Sequence, residues 1–105
     1  MTPNEVKPPR GAYKGRYKVY ATSKGERGWK KLCQSKPGPM RRCYEELADN
    51  PFPPGQQRRH HELKGKLKGN WEYEVAGGDR VRYKHGGPKG APVVTYAGSA
   101  PSDTH

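Results

Sequence analysis

The sequence predicts an α+β fold, a two-helix hairpin packed on a small antiparallel sheet in the order β-α-α-β-β-β. Three features predict it. In WEYEVAGGDRVRY (71–83), large apolar residues alternate with charged ones on either side of a glycine pair, the period-2 pattern of a hairpin with one buried face. Two earlier segments carry apolar residues at helical spacing, each on a single stripe. Proline-rich breaks separate these segments, so helices and sheet form two layers around one core.

Taken in order, Met1 to about Gly15 is rich in Pro, Gly and Lys and short of side chains to bury. It reads as a flexible basic extension, residues 1–15, ahead of a folded domain, residues 16–105. Tyr17 to Ala21 alternates as a first strand. Thr22 or Ser23 can cap the next helix, with Glu26 in capping-box position after Ser23. Trp29, Leu32 and Cys33 form the apolar stripe of that helix, and Ser35-Lys36-Pro37-Gly38-Pro39 breaks it. Met40, Cys43, Tyr44 and Leu47 line the second helix, which must end before Asn50-Pro51. Pro51-Phe52-Pro53-Pro54-Gly55 is a stiff connector with one anchoring aromatic. It leads into Arg58-Arg59-His60-His61 and a lysine-rich loop.

The hairpin then sets the expected register. With Gly77-Gly78-Asp79 as the loop, Val75 faces Val81 and Tyr73 faces Tyr83 on one side of the sheet. On the other side Glu74 faces Arg82 and Glu72 faces Lys84, while Arg80 falls opposite Ala76 with no cross-strand acid. Arg80 is therefore expected to be available to an external anion. His85 to Gly90 is a looser turn, Val93 to Ala97 the last strand, and Ala100 to His105 a tail.

Composition bounds the function. The 105 residues carry 21 Lys+Arg against 10 Asp+Glu, a formal net charge of +11, with only 30% hydrophobic residues. That excess, concentrated near aromatics and histidines, favours a polyanionic partner. No long amphipathic helix, signal-like apolar run or bilayer-spanning segment is visible, so no membrane partner and a cytoplasmic location are expected. Two cysteines, Cys33 and Cys43, make neither a disulfide framework nor a zinc site, and read as reduced packing residues. No GxSxG elbow, Walker loop or HExxH motif occurs, and no metal or small-molecule cofactor is expected.

Histidine, arginine and lysine remain, and together they suffice to cleave RNA. The 2′-hydroxyl needs a general base, the leaving 5′-oxygen an acid, and the phosphorane between them fixed positive charge. Histidine titrates near neutrality and fills either proton-transfer role, while arginine grips phosphate oxygens. In a strand-like alternation His60 and His61 point to opposite faces, so only one can face an RNA.

In their order and spacing, YEELADNPFPPG, HELKGKLKGNWEYEV, GGDRVRYKH, VVTYAG and a terminal His resemble the RelE/ParE superfamily of bacterial toxins from toxin–antitoxin pairs. The resemblance runs from about Tyr17 to His105. It implies a microbial RNase-like fold, in which the RelE and HigB branches cut mRNA on the ribosome and the ParE branch poisons DNA gyrase. It also implies a cognate acidic antitoxin that covers the basic site. Position by position, His61 matches the general base, Arg80 the arginine that stabilises the transition state, and Lys64, Lys66 and Lys68 the loop residues that hold RNA. Arg82 is a second candidate cation, and Arg59 opens the basic loop. His105 matches a C-terminal general acid, although SAPSDT makes its tail longer than the family's, and Tyr96 is the reserve. The expected function is a ribosome-dependent endoribonuclease acting on mRNA by metal-independent 2′-hydroxyl attack. The alternatives are a gyrase inhibitor of the same fold and a non-catalytic RNA-binding module using Tyr13, Tyr17 and Tyr20 as stacking platforms.

Overall fold

A computed structural model describes residues 2–54 and 59–99 of the chain. Two helices pack on a mixed sheet with strand order β1-β2-β6-β5-β4-β3. The strands are β1 (Asn4–Val6), β2 (Val19–Ala21), β3 (His60–Glu62), β4 (Asn70–Glu74), β5 (Asp79–His85) and β6 (Pro92–Ser99). The helices α1 (Ser23–Ser35) and α2 (Pro37–Asp49) lie between β2 and β3 in the chain.

The helices follow their local signals. Thr22 is the N-cap of α1, its hydroxyl accepting from the Gly25 amide at 3.1 Å. Lys36 alone separates the helices, because Pro37 occupies the first turn of α2, where no amide is needed. The second helix ends at Asp49, ahead of Asn50-Pro51. Trp29 and Leu32 from α1 and Met40, Cys43, Tyr44 and Leu47 from α2 are buried in one cluster with Val19, Val81, Tyr83 and Val94 of the sheet. Cys43 is buried and Cys33 half-buried, both as free thiols. Burial pushes the Cys33 thiol up to about 11, the state of a packing residue and not of a nucleophile. Gly25 and Gly28 let α1 lie directly on β6. A Cβ at Gly25 would sit 2.2 Å from the Val94 carbonyl oxygen, and one at Gly28 2.1 Å from that of Ala97.

Four features depart from the sequence reading. The sheet is mixed, because β2 runs parallel to β6 (Tyr20 opposite Val93, Ala21 opposite Val94), while the expected β4-β5-β6 meander is antiparallel. Inside the stretch read as a flexible extension, Asn4–Val6 forms an edge strand on β2, with Val6 only 3% exposed. Further along it, the Trp29 indole donates to the Lys7 carbonyl at 3.2 Å and Arg41 Nη1 to the Gly11 carbonyl at 2.6 Å. Backbone pairing and carbonyl acceptors anchor the segment, and neither requires an apolar pattern. A third departure is the short strand β3 at His60–Glu62, which extends the meander by one strand.

The fourth is the hairpin register. The loop is Ala76-Gly77-Gly78, with Gly77 at φ +58 and Gly78 at φ +90, and Asp79 belongs to β5. The Val75 amide donates to the Asp79 carbonyl and the Asp79 amide to the Ala76 carbonyl, each at 3.0 Å. Trp71 therefore faces Tyr83, Tyr73 faces Val81, Glu72 faces Arg82 and Glu74 faces Arg80. The cause lies at the helix junction. The Lys36 ammonium donates to the Ala76 carbonyl at 2.9 Å and pairs with the Asp79 carboxylate at 2.5 Å, which holds Asp79 at the first paired position.

Candidate functional site

The sheet separates the two histidines. His60 pairs with Tyr73 and turns into the core, 3% exposed, among the rings of Trp71, Tyr73 and Tyr83. Its Nε2 contacts both the Tyr83 hydroxyl and, at 3.2 Å, the Pro51 carbonyl, to which Tyr83 also donates at 2.5 Å. This arrangement fits a neutral ring with its proton on Nε2, so that hydroxyl and imidazole share one carbonyl acceptor. Desolvation lowers the His60 pKa and holds the ring neutral, partly opposed by the Pro51 hydrogen bond. Phe52 closes the pocket from the connector, 5.5 Å from Trp71 and 5.7 Å from Tyr83, and is stacked on His85 at 3.5 Å. Phe52 is thus the anchor expected of that segment.

His61 faces the other way. It pairs with Glu72, Glu72 with Arg82, and Arg82 with Tyr96, so four adjacent strands contribute one row to the face turned away from the helices. Arg80 lies one row along, opposite Glu74 and Gly98. Of the cations expected to hold RNA, Lys64, Lys66, Lys68 and Arg59 are exposed. The three lysines lie in the loop between β3 and β4, around a 3-10 turn at Gly65–Leu67. Two anchors hold that loop: the Gly69 amide donates to Glu62 Oε2 at 3.0 Å, and the Asn70 amide side chain to the Leu67 carbonyl at 3.2 Å.

Glu72 is the residue sequence reasoning missed. Only 7% exposed, it holds Arg82 Nε at 3.1 Å through one carboxylate oxygen and Arg80 Nε at 3.4 Å through the other. Glu74 adds a contact to Arg80 Nη1 at 3.5 Å. The expectation that Arg80 lacks a cross-strand acid is therefore overturned, because moving the loop by one residue exchanges Ala76 for Glu74 opposite it. Arg82, expected as an RNA-binding cation, is only 6% exposed. A parity signal was present all the same: Glu72, Glu74, Arg80 and Arg82 share a face in either register, so a carboxylate between the two arginines was legible. Clamped arginines are fixed in place, which suits the stabilisation of charge that develops in a transition state.

The candidate acids differ in status. Tyr96 lies in the row, its hydroxyl donating to the Ser99 carbonyl at 2.5 Å and the Lys24 ammonium 5.9 Å from its ring centre. His105 lies outside the described residues. Among the described residues no group of three or more His, Cys, Asp or Glu is placed to hold a metal ion, and no helix is long and apolar enough to cross a membrane.

No family model matches the chain, and no curated protein is significantly similar to it in sequence. Its structure is similar to that of a YoeB/ParE toxin from Agrobacterium tumefaciens, with a TM-score of 0.59 and 16% sequence identity, over 79% of this chain and 98% of that one. At that identity the likeness is one of fold, two helices packed on a mixed sheet.

Proposed function

We propose that this chain is the toxin of a toxin–antitoxin pair and a RelE-type endoribonuclease, cleaving mRNA in the ribosomal A site without a metal. The observation that carries the reading is that His61, Glu72, Arg80, Arg82 and Tyr96 share the helix-free face of the sheet, beside the exposed lysines 64, 66 and 68. In this reading the lysines draw in the phosphate backbone and His61 takes the 2′-hydroxyl proton. The freed oxygen attacks the adjacent phosphorus. Arg80, held in place by Glu72 and Glu74, stabilises the phosphorane, and the 5′-oxygen leaves with a proton from Tyr96 or His105. The products are a 2′,3′-cyclic phosphate, or the 3′-phosphate it hydrolyses to, and a 5′-hydroxyl. A cognate acidic antitoxin covers the basic face when the toxin is silent.

The test is single-turnover reaction with ribosomes programmed with end-labelled mRNA, followed by analysis of the product ends. Cleavage with a cyclic phosphate and a 5′-hydroxyl is expected. Intact mRNA, together with broken DNA and an SOS response in induced cells, would replace this reading with gyrase inhibition.

A further inference from the structure

We propose that the cleft between residues 13–18 and the turn joining β5 to β6 is a second RNA-binding surface, one that grips unpaired nucleotides of the strand held at the His61–Arg80 face. The cleft has a volume of about 450 Å³, and its lining includes Tyr17, Tyr20, Lys14, Arg16, Lys18 and Lys89. Glu5 is the one acid among the lining residues. It spends its charge on Lys18 at 3.9 Å, leaving an excess of cations.

The aromatic residues of the cleft are in different states. Tyr13 is committed to the fold: its hydroxyl donates to the Asp49 carboxylate, its ring meets Tyr44 edge-on at 6.3 Å, and the Arg41 guanidinium lies 5.4 Å from it. Tyr17 and Tyr20, both half-exposed, stack on no other ring among the described residues. Their backbone is nonetheless fixed. The Tyr17 amide donates to the Ala48 carbonyl at 2.8 Å, and Tyr20 sits in β2 opposite Glu5 and Val93. Gly87 leaves room for the Tyr20 ring, since a Cβ there would stand 3.2 Å from Tyr20 Cδ1. Two half-exposed rings on a fixed backbone, interleaved with lysine and arginine, match a single strand, whose bases stack on rings while its phosphates meet cations. An acidic peptide would use the cations and leave the rings without a role.

Position links the cleft to the proposed active face. Tyr20 pairs with Val93 and Val93 with Lys84, which puts Tyr20 and Lys84 on the same face as Arg82, one row along. Tyr20 is two strand spacings from Arg82, about 10 Å across the sheet and about 7 Å along it. A few nucleotides of extended strand cover that distance, with Lys84, exposed at the end of β5, between them. The inference rests on the reading of the chain as an RNA-cleaving toxin, and its test separates the two.

The probe is a fluorescently labelled, unstructured 2′-O-methyl RNA, which cannot be cleaved, with binding followed by anisotropy across a salt series. The paired change Tyr17→Ala/Tyr20→Ala should weaken binding by about tenfold or more, and Tyr17→Phe/Tyr20→Phe should retain it. Lys14→Gln/Lys89→Gln should flatten the log–log salt slope by about 1.4, as expected for two lost phosphate contacts on a single strand. If the alanine pair does not fold, the lysine pair carries the test. RNA binding unchanged in both the tyrosine and the lysine variants overturns the cleft assignment, whatever the cleavage result. The same holds if those variants lose affinity for an acidic peptide while RNA binding stays at the parent level. Loss of RNA affinity in a protein that never cleaves mRNA leaves the cleft standing and removes only the nuclease reading.

Discussion

His60 and His61 are neighbours in sequence and opposites in environment. One is packed among Trp71, Tyr73 and Tyr83 and held neutral. The other stands in a row with Glu72, Arg82 and Tyr96. The difference follows from strand alternation: on the core side the His60 Nε2 meets the Pro51 carbonyl and the Tyr83 hydroxyl, while the Nδ1 is buried without a hydrogen-bond partner. On the far side, charge is concentrated instead and organised by a carboxylate. Residue type alone therefore says little about role, because the same imidazole is a packing element on one face and a candidate base on the other.

The sharpest way to break that comparison is to remove each histidine in turn. His61→Ala should lower single-turnover cleavage by about a hundred to ten thousandfold with little change in stability. His60→Ala should do the reverse, costing about 2 kcal/mol in chemical denaturation while the folded protein cleaves at close to the parent rate. A His60 variant that is stable but inactive would exchange the two roles.

Glu72 tests how the outer face is built. Glu72→Ala removes the acceptor shared by Arg80 and Arg82 and should destabilise the fold by about 3 kcal/mol, read from urea midpoints. Unchanged stability would mean that water already screens the pair. Arg80→Ala should be milder in stability, since Arg80 is the more exposed of the two arginines, and should lower the cleavage rate by about a hundredfold with ribosome binding retained. If cleavage persists, Arg82 carries the charge stabilisation.

The smallest effect is in pH. His60 has a lowered pKa in the folded state, while in the unfolded chain it titrates near 6.5. Above that value both states are neutral and the full stability is present. As pH falls through about 6.5 the unfolded state binds a proton that the folded state refuses, so stability declines, and it keeps declining until the folded pKa is reached. The Pro51 hydrogen bond, which favours the protonated ring, limits the loss. Denaturation midpoints measured between about pH 7 and 5 should fall for the parent and fall less for His60→Leu.

By itself the sequence determined the helical stripes and the strand alternation, which depend on side chains a few residues apart. Helical stripes place Trp29 and Leu32, then Met40, Cys43, Tyr44 and Leu47, against the sheet, and alternation separates Trp71 and Tyr73 from Glu72 and Glu74. It also allotted His60 and His61 to opposite faces, because successive side chains of a strand alternate whatever its register. Only the tertiary structure decided which residues meet across strands. Lys36, 40 positions before Ala76, draws the turn one residue back and thereby sets Glu74 against Arg80. The edge strand Asn4–Val6 and the parallel pairing of β2 with β6 belong to the same class. Backbone hydrogen bonds and long-range ion pairs make these contacts, and they leave no periodic trace in the side chains that a local reading could find.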